Sequence, residues 1–470
     1  MPSPAHARTF VLCLVIYGIA LWARWSGLPI ATMLGDSMGP WWTGLYLPTQ
    51  WSGHSPIYGW ASGLPHALLL HVIGDLEQGV RGLLALHALA APIAALIVLA
   101  LRPKAWLSAS LAGLLTALDP GLIETALSGH KAYFAPLWIA LLTLSVAHRK
   151  SGWAGILAGI SLAFAIQNHL LAVAAAPLCL LLDWKHNTTR LGALVCALLM
   201  LPFAAQLLSQ PMTTDGGVGF GWMNAPPAFL IQGGGTAGLV LILPAIVSFL
   251  PVDGLHAQNA PKTRAIARCT LMGFVILFLV GLSIGYLRDH HLRLMTVPAL
   301  CCLAHFCTRW IALSLLALRP PSPDLPLPDH PQRPGTLGLT TQITDALPTA
   351  PLIVDGVWLS STPAAEPSAV MLDWSLRTHG AIPIDPNGKL VLIVSGERAD
   401  LLPYRHSPHL LQSGDRHLLL MGTTADLSAE VRTLCQQQPR LGGVSDALGP
   451  LRPDLSDEQI RAWQTPCTDG

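Results

Sequence analysis

Ten stretches of this chain run for 13 to 25 residues with almost no charge: 9–28, 80–101, 106–118, 132–147, 153–166, 169–183, 191–208, 228–250, 269–286 and 294–318. A helix needs about 20 apolar residues to cross the hydrocarbon of a bilayer. Lipid offers backbone N–H and C=O groups no partner, so a crossing segment must satisfy them within itself, and runs of this length do so as helices. The expected fold is therefore mainly α, a polytopic transmembrane helical bundle of about ten spans. Several runs are short for a crossing, which places their polar neighbours in water-filled recesses. The composition agrees: 52% of residues are hydrophobic, only 11% are charged, and mean hydropathy is +0.50. Soluble domains carry roughly 25% charged residues.

The basic residues set the orientation. Arg8 precedes the first run and no small-x-small cleavage site follows it, so this run reads as a retained span with its N-terminus in the cytoplasm. Arg102 with Lys104, His148-Arg149-Lys150, Lys185 with Arg190, and a loop carrying Lys262, Arg264 and Arg268 then all fall on the same side. The opposite side carries few, among them Lys131, Arg288 and Arg293. On that outer side lie the segments 29–79, 119–131, 209–227 and 286–293, together with the Gln167-Asn168-His169 turn. Most of the unusual polar residues of the membrane body gather there.

After Arg319 the sequence "PPSPDLPLPDHPQRP" cannot sustain a helix or a sheet ladder. The chain divides into a membrane body, 1–318, a Pro-rich linker, 319–349, and a soluble domain, 350–470. Residues 1–319 hold 17 Lys and Arg against 9 Asp and Glu, and residues 320–470 hold 10 against 17. In the tail "PLIVDGVWL", "KLVLIVSG" and "HLLLMGTT" read as buried strands between helical stretches near 365–379, 427–438 and 456–464, a small α/β domain. Its Cys435 and Cys467 would form a disulfide on the periplasmic side and stay free thiols in the cytosol. Ten spans leave the tail in the cytoplasm, whereas Arg309 inside the last run allows one more crossing. No basic cluster could track nucleic-acid phosphates and no nucleotide-binding fingerprint follows a strand.

Three groups on the outer face carry chemistry. Asp36 stands alone at the head of "LGDSMGPWWTGLYLPTQWSGHSPIYGW", a segment with four tryptophans and two tyrosines. A carboxylate there costs free energy without water or a partner, so it either serves a site at the mouth of a cavity or caps an interfacial helix. The aromatic residues behind it suit the headgroup layer. The second group, "DPGLIETALSGHK", brings Asp119, Glu124, His130 and Lys131 to one loop. These line the same cavity, or else Asp119-Pro120 opens a turn and Lys131 anchors the next span. The third, "YLRDHHLR", gathers Arg288, His290, His291 and Arg293. Guanidinium groups match phosphate oxygens, although Arg288 and Asp289 could simply neutralise one another. His169 and Asp215 are weaker candidates. Neither spacing nor neighbours point to a metal, and the cofactor stays open, a divalent metal included.

One span, a long aromatic outer loop headed by an acid, "ALDPGLIETALSGHKAYFAPLW", "QNHLLAVAAAPLCLLL" and "GYLRDHHLRLMTVPAL" together resemble the GT-C membrane glycosyltransferases, which take sugars from polyprenyl-phosphate carriers. The resemblance covers roughly 1–318. It implies that Asp36 is the general base, or a metal-linked carboxylate, and that Arg288 contacts the carrier phosphate with His290 or His291. Inverting transfer to an acceptor hydroxyl at the outer face follows, with a lipid-linked sugar donor and membrane lipids as partners and no nucleic acid. It also implies a bacterial inner (cytoplasmic) membrane, with the soluble tail on the periplasmic side. The rivals are a lipid or glycan flippase, which needs polar residues through the midplane and matched broken helices, and a non-catalytic scaffold.

Overall fold

The computed structural model describes residues 4–26, 59–73, 76–127, 134–209, 260–284 and 289–306, single positions at 40, 43, 44 and 47, and four strands between 358 and 422. Within them the chain is mostly helical. The first helix, α1 (Pro4–Trp25), turns Phe10, Val11, Leu14, Val15 and Trp22 outward. Much later α9 (Asn187–Ser209) does the same with Leu191, Leu194, Leu198, Leu201 and Leu208, a stripe at helical spacing. Large apolar side chains facing water would cost about 25 cal/mol for each Å², a cost that lipid removes. Among the described residues, four helical stretches are long and apolar enough to cross a membrane: His6–Trp25, Gln78–Leu101, Asn187–Leu208 and Pro261–Val280. The body is thus a multi-pass membrane protein.

Between these lie α2 (Leu64–Ile73), α3 (Leu76–Ala88), α4 (Ala90–Leu101), α5 (Trp106–Ala117), α6 (Pro120–Leu127), α7 (Ala135–Ala147) and α8 (Ala154–Asn168), and behind them α10 (Ala260–Ile284), α11 (Asp289–Arg293) and α12 (Thr296–Phe306). The core is rich in alanine: Ala91, Ala94, Ala95, Ala109, Ala112 and Ala140 are all fully buried. Small side chains bring helix backbones close, where van der Waals contact replaces a hydrophobic effect that lipid does not supply. The limit is reached between α8 and α9. A Cβ on Gly159 would overlap the Gly192 carbonyl, and one on Gly192 the Gly155 carbonyl.

Prolines divide several of the apolar runs. The run 80–101 turns at Leu89, whose N–H bonds Leu86 O at 3.2 Å, because Pro92 has no N–H for the Ala88 carbonyl. The run 106–118 continues past its end, bending by 41° between α5 and α6. The run 169–183 forms a 3-10 helix, Leu170–Leu181, with Pro177 inside it. Lys262, Arg264 and Arg268, read as loop residues, belong to the first turns of α10. The run 228–250 lies outside the described residues.

Two of the basic clusters expected on the cytoplasmic side, those at His148 and Lys262, lie near one another. Arg149 Nη1 donates to Leu181 O at 3.3 Å. His148 stacks near Trp153, its ring 5.3 Å away, and is held below the usual imidazole range by burial and by Lys262. In the tail, β1 (Trp358–Ser360), β2 (Leu390–Ser395), β3 (Leu410–Ser413) and β4 (His417–Gly422) form one sheet in the order β1-β2-β4-β3. The β1–β2 pair is parallel and the other two are antiparallel. The linker, the tail helices, Cys435 and Cys467 lie outside the described residues.

Candidate functional site

The chain leaves α5 at Ala117 and restarts at Pro120. Pro120 has no N–H to satisfy in the first turn, and Asp119 Oδ1 accepts the Leu122 N–H at 2.8 Å, so Asp-Pro sets the helix start. The same oxygen receives Arg293 Nη1 at 3.2 Å, from 174 residues along the chain, with side-chain exposures of 9% for the arginine and 0% for the aspartate. Asp119 thus opens the turn and at the same time holds Arg293. Gly121 lies directly beneath the guanidinium, where a Cβ would overlap Arg293 Cζ and Nη1.

Arg293 closes α11. Residues two apart on a helix do not share a face, and His291 turns to His169, its ring centroid 5.1 Å away and tilted by 56°. Both imidazoles are buried. His169 has extended backbone between α8 and the 3-10 helix, and its Nδ1 accepts the Leu171 N–H at 3.2 Å. That bond leaves the ring proton of the neutral form on Nε2. A guanidinium and an imidazole two residues apart on one short helix are groups that can offset developing negative charge.

Gln167 fixes the end of the aromatic loop to this floor. Its backbone carbonyl accepts from Gly59 N at 3.0 Å, its Oε1 from Ala61 N at 3.1 Å, and its Nε2 donates to Leu199 O at 3.0 Å. Trp60 consequently packs edge-on against Phe164 at 5.8 Å, and Trp138 meets the same ring at 4.9 Å. Trp60 is thus buried in protein rather than lodged in the headgroup layer. Nearby, Asn168 Nδ2 donates to Phe164 O at 2.8 Å, while its Oδ1 meets no donor. His66 on α2 packs edge-on to Phe134 at 6.0 Å, and burial pushes it down to about 3.

Below the Asp119 turn, Arg24 is fully buried. Its Nε donates to His87 Nδ1 at 3.0 Å, and its Nη1 to Ala20 O at 2.9 Å and Ala117 O at 3.1 Å.

Of the residues expected at the site, Asp119 pairs with Arg293, and His169 meets His291. Glu124 sits farther along α6, partly buried. His290 lies on α11. Asp36, His130, Lys131, Arg288 and Asp215 lie outside the described residues. Sequence reasoning passed over Arg24 and His87, and gave Gln167 and Asn168 a place in the outer turn but no role. A signal existed for the first two: each is a polar residue inside an apolar run, 9–28 and 80–101, where its cost marks it. Among the described residues, no three His, Cys, Asp or Glu are grouped to hold a metal.

No family model matches the chain, and no curated protein matches it. It is similar to two crystal structures of ArnT from Cupriavidus metallidurans. One, bound to undecaprenyl phosphate, is 12% identical, with a TM-score of 0.48 over 88% of this chain and 98% of that one. The other, in the apo state, is 13% identical, with a TM-score of 0.39 over 90% and 99%.

Proposed function

We propose that this chain is a GT-C type membrane glycosyltransferase, which moves a sugar from a polyprenyl-phosphate carrier to an acceptor hydroxyl at the outer face of the membrane. The observation that carries the reading is the buried Arg293, held by Asp119 over Gly121, with the His169 and His291 rings on the neighbouring residues. When the glycosidic bond breaks, its electron pair stays with the carrier phosphate. Arg293 and the imidazoles offset that charge, and Arg288, His290, His130 and Lys131 add to the field around the carrier headgroup. Asp119 and Glu124 form the acidic wall, Asp119 fixing the direction of the guanidinium. Asp36, in the loop after α1, takes the acceptor proton as the hydroxyl attacks the face opposite the leaving phosphate, which inverts the sugar centre. The same proposal comprises ten spans in a bacterial inner membrane and a periplasmic α/β domain behind the 319–349 linker.

Purified protein in proteoliposomes, supplied with polyprenyl-phosphate-linked sugars and an acceptor pool, tests it through mass spectrometry of released carrier. Undecaprenyl phosphate, the lipid held by the similar ArnT structure, is the first carrier to try. Asp36→Asn is expected to lower turnover by about 100-fold or more at normal protein level. Equal turnover in that variant, together with unchanged surface glycans and polyprenyl-linked sugars in a strain lacking the protein, leaves a scaffold as the better reading.

A further inference from the structure

Among the described residues, Arg24 is a cation without an anion. It is 0% exposed, and its acceptors are two backbone carbonyls and an imidazole nitrogen, all neutral. Its Nη2 meets no acceptor and no solvent. Taking a guanidinium out of water costs several kcal/mol, which neutral partners recover only in part. A neutral amide could bridge the same helices without that cost, so a clamp alone does not explain the charge. The depth of the residue is informative. Trp22 and Trp25 flank it and are 67% and 40% exposed, while Trp25 Nε1 donates to Arg81 O at 3.3 Å. Tryptophans so placed mark the level of the lipid headgroups, where phosphates lie.

We propose that Arg24, oriented by His87, is the cation of an oxyanion site at the ends of α1, α3 and α5, which takes a phosphate carried by a lipid headgroup or free in solution. Arg24 bonds the carbonyl of Ala117, two residues before Asp119, and the proposal does not depend on the transferase reading. His87 Nδ1 and the two carbonyls hold Nε and Nη1, so the Nη2 edge is the one left for a phosphate oxygen. Nη2 is sealed in this state, so binding parts the ends of α1 and α3.

Native mass spectrometry of the full chain in neutral detergent tests the site with four probes: phosphatidylglycerol, polyprenyl phosphate, inorganic phosphate, and diacylglycerol as the phosphate-free control. Wild type is expected to bind at least one phosphate probe, R24Q to bind it about tenfold or more weakly, and R24K to stay within about threefold of wild type. Diacylglycerol should not distinguish them. Strongest binding of phosphatidylglycerol, of polyprenyl phosphate or of inorganic phosphate identifies the source as bilayer lipid, carrier or free anion. Equal binding of every phosphate probe by R24Q and wild type overturns the proposal, as does a parallel loss of diacylglycerol. Should R24Q fail to fold, H87L is read in the same way: selective loss of the phosphate probe supports the site, and unchanged binding overturns it.

Discussion

Asp119→Ala would leave the Arg293 guanidinium buried against Gly121 with its carboxylate gone. The expected loss of stability is about 3 kcal/mol, and the Asp119→Ala/Arg293→Met double variant should lose less than the sum of the singles. Thermal unfolding in detergent checks both. Gly121→Ala should act like Arg293→Ala, because its methyl occupies the guanidinium's place. His66 gives a pH dependence whose sign is fixed. Its folded value is pushed to about 3, below the ordinary imidazole value, so the unfolded chain binds the extra proton. The stability is fully present above roughly pH 6.5 and is lost as pH falls toward 3. Between pH 7 and 4.5 wild type should lose about 2 kcal/mol that His66→Gln does not, read as the difference in unfolding midpoints. At this scale Asp119-Pro120 was legible as the opening of a turn, though not as the start of a helix. Its partner was not, because no local pattern ties residue 119 to residue 293. Arg24 was legible only as a cost, with nothing to say that His87 would receive it.

Prolines and glycines decide the elements. Hydropathy locates the run 80–101 but not its turn at Leu89, which follows from the N–H that Pro92 lacks. The bend between α5 and α6 was hidden for a related reason: Asp119 reads as the end of one run, whereas here it begins the next helix on the way to the site. The Gly155-x-x-x-Gly159 spacing, to which hydropathy is blind, forms a close-packing face against α9. Gly159→Val should drive α8 and α9 apart, at about 1–3 kcal/mol. An engineered disulfide between exposed ends of the two helices, formed in the parent and slowed in the variant, measures that separation. Because Gln167 on α8 holds both Gly59 and Leu199 on α9, the variant should also loosen the loop that carries Trp60.

For the whole molecule, charge placement was the most readable feature. The segments assigned to the outer face meet one another at Gly59 and Gln167, at Asp119 and Arg293, and at His169 and His291. The inner clusters meet at His148 and Lys262. The expected sides of these loops rest on basic residues, which resist translocation, whereas the pairing of distant helix ends depends on packing that no local run encodes. The side of the tail is decided by labelling Cys435 and Cys467 with an impermeant maleimide, with and without prior reduction. Reaction in intact cells is expected for a periplasmic domain, and reaction only after lysis would place it in the cytosol. The six described cysteines of the body, Cys13, Cys179, Cys196, Cys269, Cys301 and Cys302, lie within helices and should contribute little signal. The tightly wound segment behind His169 sets a last dimension. Its 12 residues, rising about 2.0 Å each, reach about 24 Å, where ordinary α winding would reach about 18 Å. Pro177→Ala favours the looser coil, and the roughly 6 Å of lost height exceeds the 5.1 Å between the His169 and His291 rings. The imidazoles would part although every atom around them kept its identity, so the stature of one short coil keeps the two halves of the site in register.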